Sequence, residues 1–206
     1  MPTDEHSTAT GVVVAGGRST RFGDREKALA DLDGRPLLAH VAATLAELAD
    51  TVVVNCRPDQ RPDFVDALSG LDADIAWALD ERPDEGPLAG LATALAAVGT
   101  DHAVVLGCDM PLSGAAALEA LRDELGDSDA VVPRTEGGPE PLHAVYRVEP
   151  TLAVARSTLD DGERSLRALL DRLAVEYVES VPTQSLTSVD TRARLDELER
   201  AETDAN

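Results

Sequence analysis

The sequence has 206 residues, 39 of them acidic and 18 basic, which gives a formal net charge of −21 at pH 7. A chain this acidic, without any run of lysine or arginine, repels phosphate backbones, so nucleic acid is excluded as a partner. No stretch reaches the roughly 20 consecutive apolar residues that cross a bilayer, and we expect a soluble, cytoplasmic protein that binds no membrane. Cys56 and Cys108 form no C-x-x-C pair, which argues against a zinc knuckle or a redox dithiol.

The acidic surplus favours a surface adapted to high salt, because a short Debye length screens the repulsion between carboxylates. Equal stability and activity without added salt would contradict this hypothesis. The chain has seventeen arginines but a single lysine, Lys27, which lies in its most glycine-rich segment. That placement is typical of a position that needs a compact ammonium group. The alternative is that Lys27 is an incidental residue on a solvated face.

Short apolar runs predict buried strands, and helical periodicities lie between them. The predicted strands are 11–15 (GVVVA), 51–55 (TVVVN), 75–79 (IAWAL), 103–108 (AVVLGC), 129–132 (DAVV), 144–147 (AVYR) and 175–178. The predicted helices are 36–49, 61–68, 88–97, 114–125, 165–173 and an acidic amphipathic helix at 191–201. This alternation predicts an α/β fold, a single Rossmann-like domain with a mostly parallel central sheet flanked by helices. We place the domain at residues 10–202, between flexible tails at 1–9 and 203–206.

The first predicted strand leads directly into a loop that suits phosphate. Gly16 and Gly17 let the backbone approach a ligand and expose N–H groups, and Arg18, Arg21, Arg25 and Lys27 add four cations within ten residues. The dinucleotide fingerprint G-x-G-x-x-G and the G-K-[ST] of a Walker A loop are both absent. The loop therefore predicts a triphosphate site of another kind, or else a structural loop with incidental arginines.

Asp109 ends an apolar run, where an open sheet places its ligands. Because Mg²⁺ needs only one or two carboxylates besides substrate phosphates, this single residue is a candidate metal ligand. It is also a candidate cap for the helix predicted to begin near Ser113. His40, His102 and His143 have no metal-ligand spacing and are interpreted as ordinary helix, loop and core residues.

Several motifs together resemble the molybdenum cofactor guanylyltransferases, within the nucleotidyltransferase superfamily. They are A-G-G-x-S-x-R-x-G with a following K-A-L, G-R-P-L-L at 34–38, Asp80 with E-G-P-L-A-G at 85–90, L-G-C-D-M-P at 106–111, and E-P-L-H-A-V-Y at 140–146. They occur in the family's order over about residues 10–190. Their joint occurrence is much more specific than any one motif.

The resemblance implies transfer of GMP from GTP to molybdenum-loaded molybdopterin, a pterin phosphate, with release of pyrophosphate. It also implies Mg²⁺ as cofactor and transient contacts with proteins that deliver or receive the molybdenum cofactor. It assigns GTP binding to Val14, Ala15, Gly16, Gly17, Lys27, Asn55, Asp80 and Asp109, catalysis to Lys27, Arg21 and Asp109, and the metal to Asp109.

Other interpretations stay open from the sequence. Asn55 could be a turn residue, and Gly86 and Gly90 could form a plain turn and a close helix contact. Where many relatives have N-x-N-T-P-E or D-x-D-T-P-E, this chain has S-V-D-T-R-A at 188–193, which leaves a role for Asp190 in doubt. Molybdopterin cytidylyltransferases, adenosylcobinamide-phosphate guanylyltransferases and a catalytically silent GTP-binding protein are the alternative functions.

Overall fold

The computed structural model describes residues 9–18, 22, 26–82 and 85–205, and a mixed β-sheet forms its centre. The strands are β1 (Ala9–Val14), β2 (Asp31–Leu32), β3 (Arg35–Pro36), β4 (Thr51–Cys56), β5 (Asp74–Leu79), β6 (His102–Gly107), β7 (Ala130–Thr135), β8 (Gly138–Pro139), β9 (His143–Arg147) and β10 (Val175–Val178). The main sheet has the order β10-β7-β9-β6-β1-β4-β5, and β8 pairs with β7 outside this path. β2 and β3 form a separate two-stranded hairpin.

The sheet is mostly parallel, as predicted. β1 pairs in parallel with β4 and β6, β4 with β5, and β10 with β7. Two strands are exceptions: β9 runs antiparallel to both β6 and β7, and the short β8 pairs antiparallel with β7. The amino end of β9 therefore lies beside the carboxyl end of β6, where the Gly107 N–H donates to the Leu142 carbonyl at 2.8 Å. The segment before β9 is thus brought to the edge of the sheet where ligands bind in such folds.

Helices cover both faces of the sheet. They are α1 (Leu37–Ala46), α2 (Arg61–Ala67), α3 (Pro87–Leu95), α4 (Ala115–Asp123), α5 (Val148–Asp160), α6 (Leu166–Leu170) and α7 (Arg192–Ala205), with 3-10 turns at Lys27–Leu29 and Thr183–Leu186. The apolar sides of α1, α2 and α4 pack on one face, and those of α3, α5 and α6 on the other. None of the helices in the described ranges has the length and apolar character that crossing a membrane requires.

Adjacent valines of β1 show how the sequence builds this arrangement. Val12 packs in the cluster with α3, and Val13 packs in the cluster with α1, because successive side chains of a strand point to opposite faces. Both are fully buried. A continuous apolar run is therefore required where a strand is covered on both sides, and each such valine contributes about 1.5–3 kcal/mol.

The structure contains a helix that the sequence analysis did not predict. α5 buries Val148, Thr151, Ala155 and Thr158 along one face. Two of these four residues are threonines, so the apolar periodicity that marks a helix is weak here. Pro150 weakens the helix signal further, because proline usually argues against a helix, although it is tolerated in the first turn.

A small separate cluster holds the carboxyl-terminal part of the chain against the β2–β3 hairpin. It comprises Phe22, Leu32, Leu37, Val189 and Leu195, all at most 7% exposed. α7 is thereby packed beside the hairpin, and the residues that precede it are brought close to the carboxyl end of β6. The predicted domain limits at 10 and 202 fall within β1 and α7, and the tail residues 1–8 and 206 lie outside the described residues.

His143 is a fully buried histidine at the start of β9. Its Nδ1 lies 3.2 Å from the Ser113 hydroxyl, which donates to the Ser185 carbonyl at 3.1 Å. Burial lowers the pKa of His143 to about 4, so the ring is neutral in the folded protein at neutral pH. This agrees with its interpretation as a core residue.

We expect His143 to make the protein less stable in acid. A base whose pKa is lower in the folded than in the unfolded state contributes stability above the unfolded pKa of about 6.5, and that stability is lost as pH falls towards about 4. Between pH 7.5 and pH 4.5 the cost is roughly 2–3 kcal/mol. Urea unfolding at both pH values, at matched salt, measures it. The variant His143→Gln should lose less stability over this interval than the wild type, and equal losses would contradict the prediction.

Candidate active site

A cavity of about 490 Å³ lies at the edge of the sheet where β1, β4, β5 and β6 end, here called the carboxyl edge. Its lining comes from the loop after β1, the ends of β4, β5 and β6, and the amino end of α3. The lining residues are Val14, Ala15, Gly16, Gly17, Arg18, Lys27, Asn55, Asp80, Arg82, Glu85, Gly86, Pro87, Ala89, Gly90, Gly107, Cys108, Asp109 and Leu142. The parallel strands thus gather polar residues from distant parts of the chain into one crevice.

Asn55 and Asp80 form a fixed polar pair on the wall of this cavity. The Asn55 amide donates from Nδ2 to the Ala78 carbonyl at 3.1 Å and to Asp80 Oδ1 at 2.7 Å. Both donations fix the orientation of the amide, so that its Oδ1 is left as an acceptor; within the described structure this buried oxygen has no hydrogen-bond partner. Burial raises the pKa of Asp80, while the hydrogen bond from Asn55 and the charge of Arg57 oppose that rise.

Glycines surround these oxygens because no side chain fits beside them. A Cβ at Gly90 would lie 2.8 Å from Asn55 Oδ1, and a Cβ at Gly16 would collide with Asp80 Oδ2. At Gly107 a Cβ would lie 2.6 Å from Asp109 Oδ1. Gly86 has φ +87°, a left-handed conformation that glycine adopts without strain, and it precedes α3 directly. Gly86, just before α3, and Gly90, inside α3, are therefore required by the local backbone geometry and packing.

Lys27, which also lines the cavity, bridges two carboxylates. Its Nζ lies 2.6 Å from Asp109 Oδ2 and 3.2 Å from Asp190 Oδ1, and its side chain is 15% exposed. Burial lowers the pKa of Lys27, but the charge and hydrogen bond of Asp109 and the charge of Asp190 outweigh burial, so the pKa is raised. The amine is consequently charged at neutral pH, and the single lysine of the chain lies inside the site.

The family described as the MobA-like NTP transferase domain matches residues 11–177 of the chain. The chain belongs to this family. A probable molybdenum cofactor guanylyltransferase of Natronomonas pharaonis is 42% identical, over 93% of this chain and 96% of that protein. The molybdenum cofactor guanylyltransferase of Pseudomonas putida is 37% identical, over 82% of this chain and 85% of its own length.

A solved structure agrees with the MobA-like fold. The crystal structure of molybdopterin-guanine dinucleotide biosynthesis protein A from Archaeoglobus fulgidus has a TM-score of 0.75 and 26% identity. The match covers 95% of this chain and 99% of that one. The resemblance inferred from the sequence motifs and the predicted fold class are therefore confirmed.

The MobA-like cavity contains all the residues that the sequence analysis assigned to GTP: Val14, Ala15, Gly16, Gly17, Lys27, Asn55, Asp80 and Asp109. Their individual roles stay predictions. Arg21, assigned to catalysis, and Arg25 lie outside the described residues. The alternative in which Asp109 caps α4 finds no support in the described contacts, because the N-cap of α4 is Gly114 and no side chain caps it.

Two acidic residues of this MobA-like chain come closer to the site than the sequence indicated. Asp190 contacts Lys27, and its Oδ2 accepts a hydrogen bond from the Ser188 hydroxyl at 3.1 Å. Glu140, in the segment before β9, has a raised pKa because it is partly buried and faces the negative charges of Asp109 and Asp190. The motif E-P-L-H-A-V-Y was the only available signal for Glu140.

The sequence analysis missed Arg57 and Gln60, which follow β4 directly. Arg57 is 7% exposed and Gln60 3% exposed, and both side chains bond to backbone carbonyls of residues 15–17. The signal that could have found them is the segment R-P-D-Q at 57–60, which follows an apolar strand immediately. A charged residue this deeply buried needs fixed partners, which the loop supplies.

The donor set fits a magnesium ion that shares its ligands with a nucleotide. The described residues hold no group of three or more His, Cys, Asp or Glu side chains that would form a complete protein cage. Mg²⁺ commonly uses one or two carboxylates and completes its shell with phosphates and water. Asp109 in the cavity wall and Asp190, both within reach of one ammonium group, have this chemistry.

Proposed function

We propose that this chain transfers GMP from GTP to molybdenum-loaded molybdopterin and releases pyrophosphate. The observation that carries the proposal is the fixed pair of acceptors, Asn55 Oδ1 and the Asp80 carboxylate, in a cavity that is also lined by a glycine-rich loop and a partly buried lysine. The names of the family's curated relatives support the guanylyl group and the acceptor.

The acceptor pair suits guanine better than the other bases. Guanine presents an N1–H and an amino group side by side, so one edge of the base offers adjacent donors. Adenine and cytosine each have a ring nitrogen that accepts hydrogen bonds next to the amino group. In this site that ring nitrogen would face an acceptor of the protein. A site built from buried acceptors rejects such a base, because unpaired polar groups in a buried site are costly.

The chemistry needs no general base from the protein. The second pKa of a phosphate monoester is near 6, so the pterin phosphate is mostly dianionic at neutral pH. An oxygen of this phosphate forms a bond to the α-phosphorus of GTP, while the bond from that phosphorus to the oxygen bridging the β-phosphorus breaks. The electron pair leaves with pyrophosphate.

The protein's part is to hold two polyanions together and to balance their charge. Lys27 supplies a buried positive charge next to the phosphates, and Asp80 with Asn55 orients the base. When bound, Mg²⁺ held by Asp109 would neutralise phosphate charge as the leaving group departs. Asp190 contacts Lys27, Glu140 lies near Asp109 and Asp190, and Arg21 stays a candidate catalytic residue.

We expect GTP to be preferred over CTP and ATP by at least about tenfold in kcat/KM, which corresponds to about 1.4 kcal/mol of transition-state binding. The reason is the acceptor pair of Asn55 and Asp80. Steady-state pyrophosphate release with each nucleotide at matched salt measures the ratio. In the Asp80→Asn variant, where an amide donor can replace an acceptor, the preference should shrink; equal use of CTP by the wild type would contradict the proposal.

The decisive test of the function is product identification. The protein is incubated with each of the four nucleotides, Mg²⁺ and molybdenum-loaded pterin, and the product mass is determined. A cytidine dinucleotide would make the chain a cytidylyltransferase. Product with adenosylcobinamide phosphate instead of the pterin would change the acceptor, and GTP binding without pyrophosphate release would indicate a silent GTP-binding protein. A cytoplasmic location and transient contacts with proteins that deliver or receive the cofactor belong to the same proposal.

A further inference from the structure

We propose that Arg57 is a positioning residue that turns the N–H groups of residues 16–18 towards the phosphates of the nucleotide. The proposal rests on the proposed function, because it assumes that a triphosphate occupies the cavity. Arg57 itself does not line the cavity and lies behind the loop that does. We call residues 15–18 the glycine loop.

The turn after β4 binds the carbonyls of the glycine loop one after another. Arg57 Nη1 donates to the Gly16 carbonyl at 3.0 Å and to the Gly17 carbonyl at 2.8 Å. Gln60 Nε2 donates to the Ala15 carbonyl at 3.2 Å. The Gln60 side chain is in turn fixed, because its Oε1 accepts from the Arg57 backbone N–H at 2.8 Å. Consecutive carbonyls are thus held on the side of the β4–α2 turn.

Peptide geometry determines where the N–H groups then point. In a planar trans peptide the carbonyl and the N–H of the next residue point in opposite directions. Holding the carbonyls of Ala15, Gly16 and Gly17 behind the loop therefore directs the N–H groups of the following residues away from Arg57, to the side of the cavity. Among the described residues no acceptor is found for the N–H of Gly16 or Gly17. Successive N–H groups facing one way form an anion-binding concavity.

The charge of Arg57 is already balanced, which argues against a direct role on phosphate. Its Nη2 lies 3.0 Å from Glu26 Oε2, and its Nε lies 3.2 Å from Asp59 Oδ1. Burial lowers the pKa of Arg57, but the hydrogen bond to Asp59 and the charge of Glu26 outweigh burial and raise it. A planar guanidinium can satisfy these partners together, whereas an ammonium group has fewer donors and no fork.

The test compares ligands with and without phosphates. GTP, pyrophosphate and guanosine are titrated by ligand-observed NMR into the wild type, Arg57→Met and Arg57→Lys. Arg61→Met is the matched control, because Arg61 belongs to the adjacent helix α2. Its Cζ lies 5.7 Å from the centroid of the Trp77 ring, and its side chain has no described contact with the glycine loop. Thermal melts by circular dichroism report on folding.

We expect Arg57→Met to weaken GTP and pyrophosphate binding at least about tenfold while guanosine affinity stays within about twofold. Arg57→Lys should recover part of the phosphate affinity, because an ammonium can reach one or two of the loop carbonyls. Arg61→Met should bind all three ligands like the wild type. A purely structural role would weaken guanosine and GTP together.

The proposal is overturned if folded Arg57→Met binds GTP like the wild type, or if guanosine affinity falls as much as GTP affinity. If Arg57→Met fails to fold, Arg57→Lys decides on the same criteria. Failure of the proposed function looks different: the wild type would bind GTP and pyrophosphate normally yet form no guanine dinucleotide. The Arg57 measurements need no turnover and so remain informative in that case.

Discussion

Replacing Asp109 by asparagine is expected to abolish most product formation while the protein folds normally. Asn keeps the size and the hydrogen-bonding ability of Asp but removes the charge. The wild-type carboxylate lies in the cavity wall at the end of β6, with Oδ2 2.6 Å from Lys27 Nζ. Without this charge, a magnesium ion at the proposed site would lose its anionic protein ligand, and the repulsion between the phosphates would be less well shielded.

The measurement for Asp109→Asn is pyrophosphate release titrated with Mg²⁺, beside a circular-dichroism melt. We expect turnover to fall at least about a hundredfold, in the range typical of losing one electrostatic transition-state contact. Asp72→Asn, which removes the charge of an exposed aspartate outside the cavity, is the matched control and should leave turnover unchanged. Near-wild-type turnover of Asp109→Asn at low millimolar Mg²⁺ would remove Asp109 from the active site.

Exchanging Lys27 for arginine is expected to lower kcat/KM by roughly 10- to 100-fold although the charge is kept. The Nζ atom fits between Asp109 and Asp190 at 2.6 and 3.2 Å. A guanidinium is larger and planar, so it cannot occupy this space without displacing one carboxylate or intruding into the phosphate site.

Steady-state kinetics at matched salt test the Lys27 prediction. The control is Arg167→Lys, a surface exchange between the same two residue types on α6, where the side chain is exposed. Wild-type kcat/KM in Lys27→Arg would show that the only lysine of the chain has no special function.

Local patterns were sufficient to predict most of the sheet and to place the glycine loop and Asp109 at one edge of it. The apolar runs ending at Val14, Asn55 and Gly107 mark strands that are buried on both faces, and parallel strands necessarily share one carboxyl edge. Glycines and polar residues just beyond those runs therefore lie close together at this edge. For this reason Gly16 and Asp109 could be placed in one crevice without any knowledge of tertiary contacts, whereas Asn55 was assigned to the site from the family resemblance.

The residues that escaped prediction depend on contacts between distant parts of the chain. Asp190 reaches Lys27 because Val189 is fully buried in the cluster with Leu32 and its N–H donates to the Asp109 carbonyl at 2.8 Å. Glu140 reaches the same region because β9 is antiparallel, which alternation of strands and helices does not indicate. Arg57 is recognisable only once its carbonyl partners are known.

The contact between Lys27 and Asp190 also determines when the site is completed during synthesis. Apart from Leu142, every residue that lines the cavity lies between positions 14 and 109 and is synthesised before the segment that carries Asp190. The segment that carries Asp190 emerges from the ribosome later, and only then can it pack beside Lys27. The contact between Asp190 and Lys27 therefore forms only after every residue that lines the cavity has been synthesised.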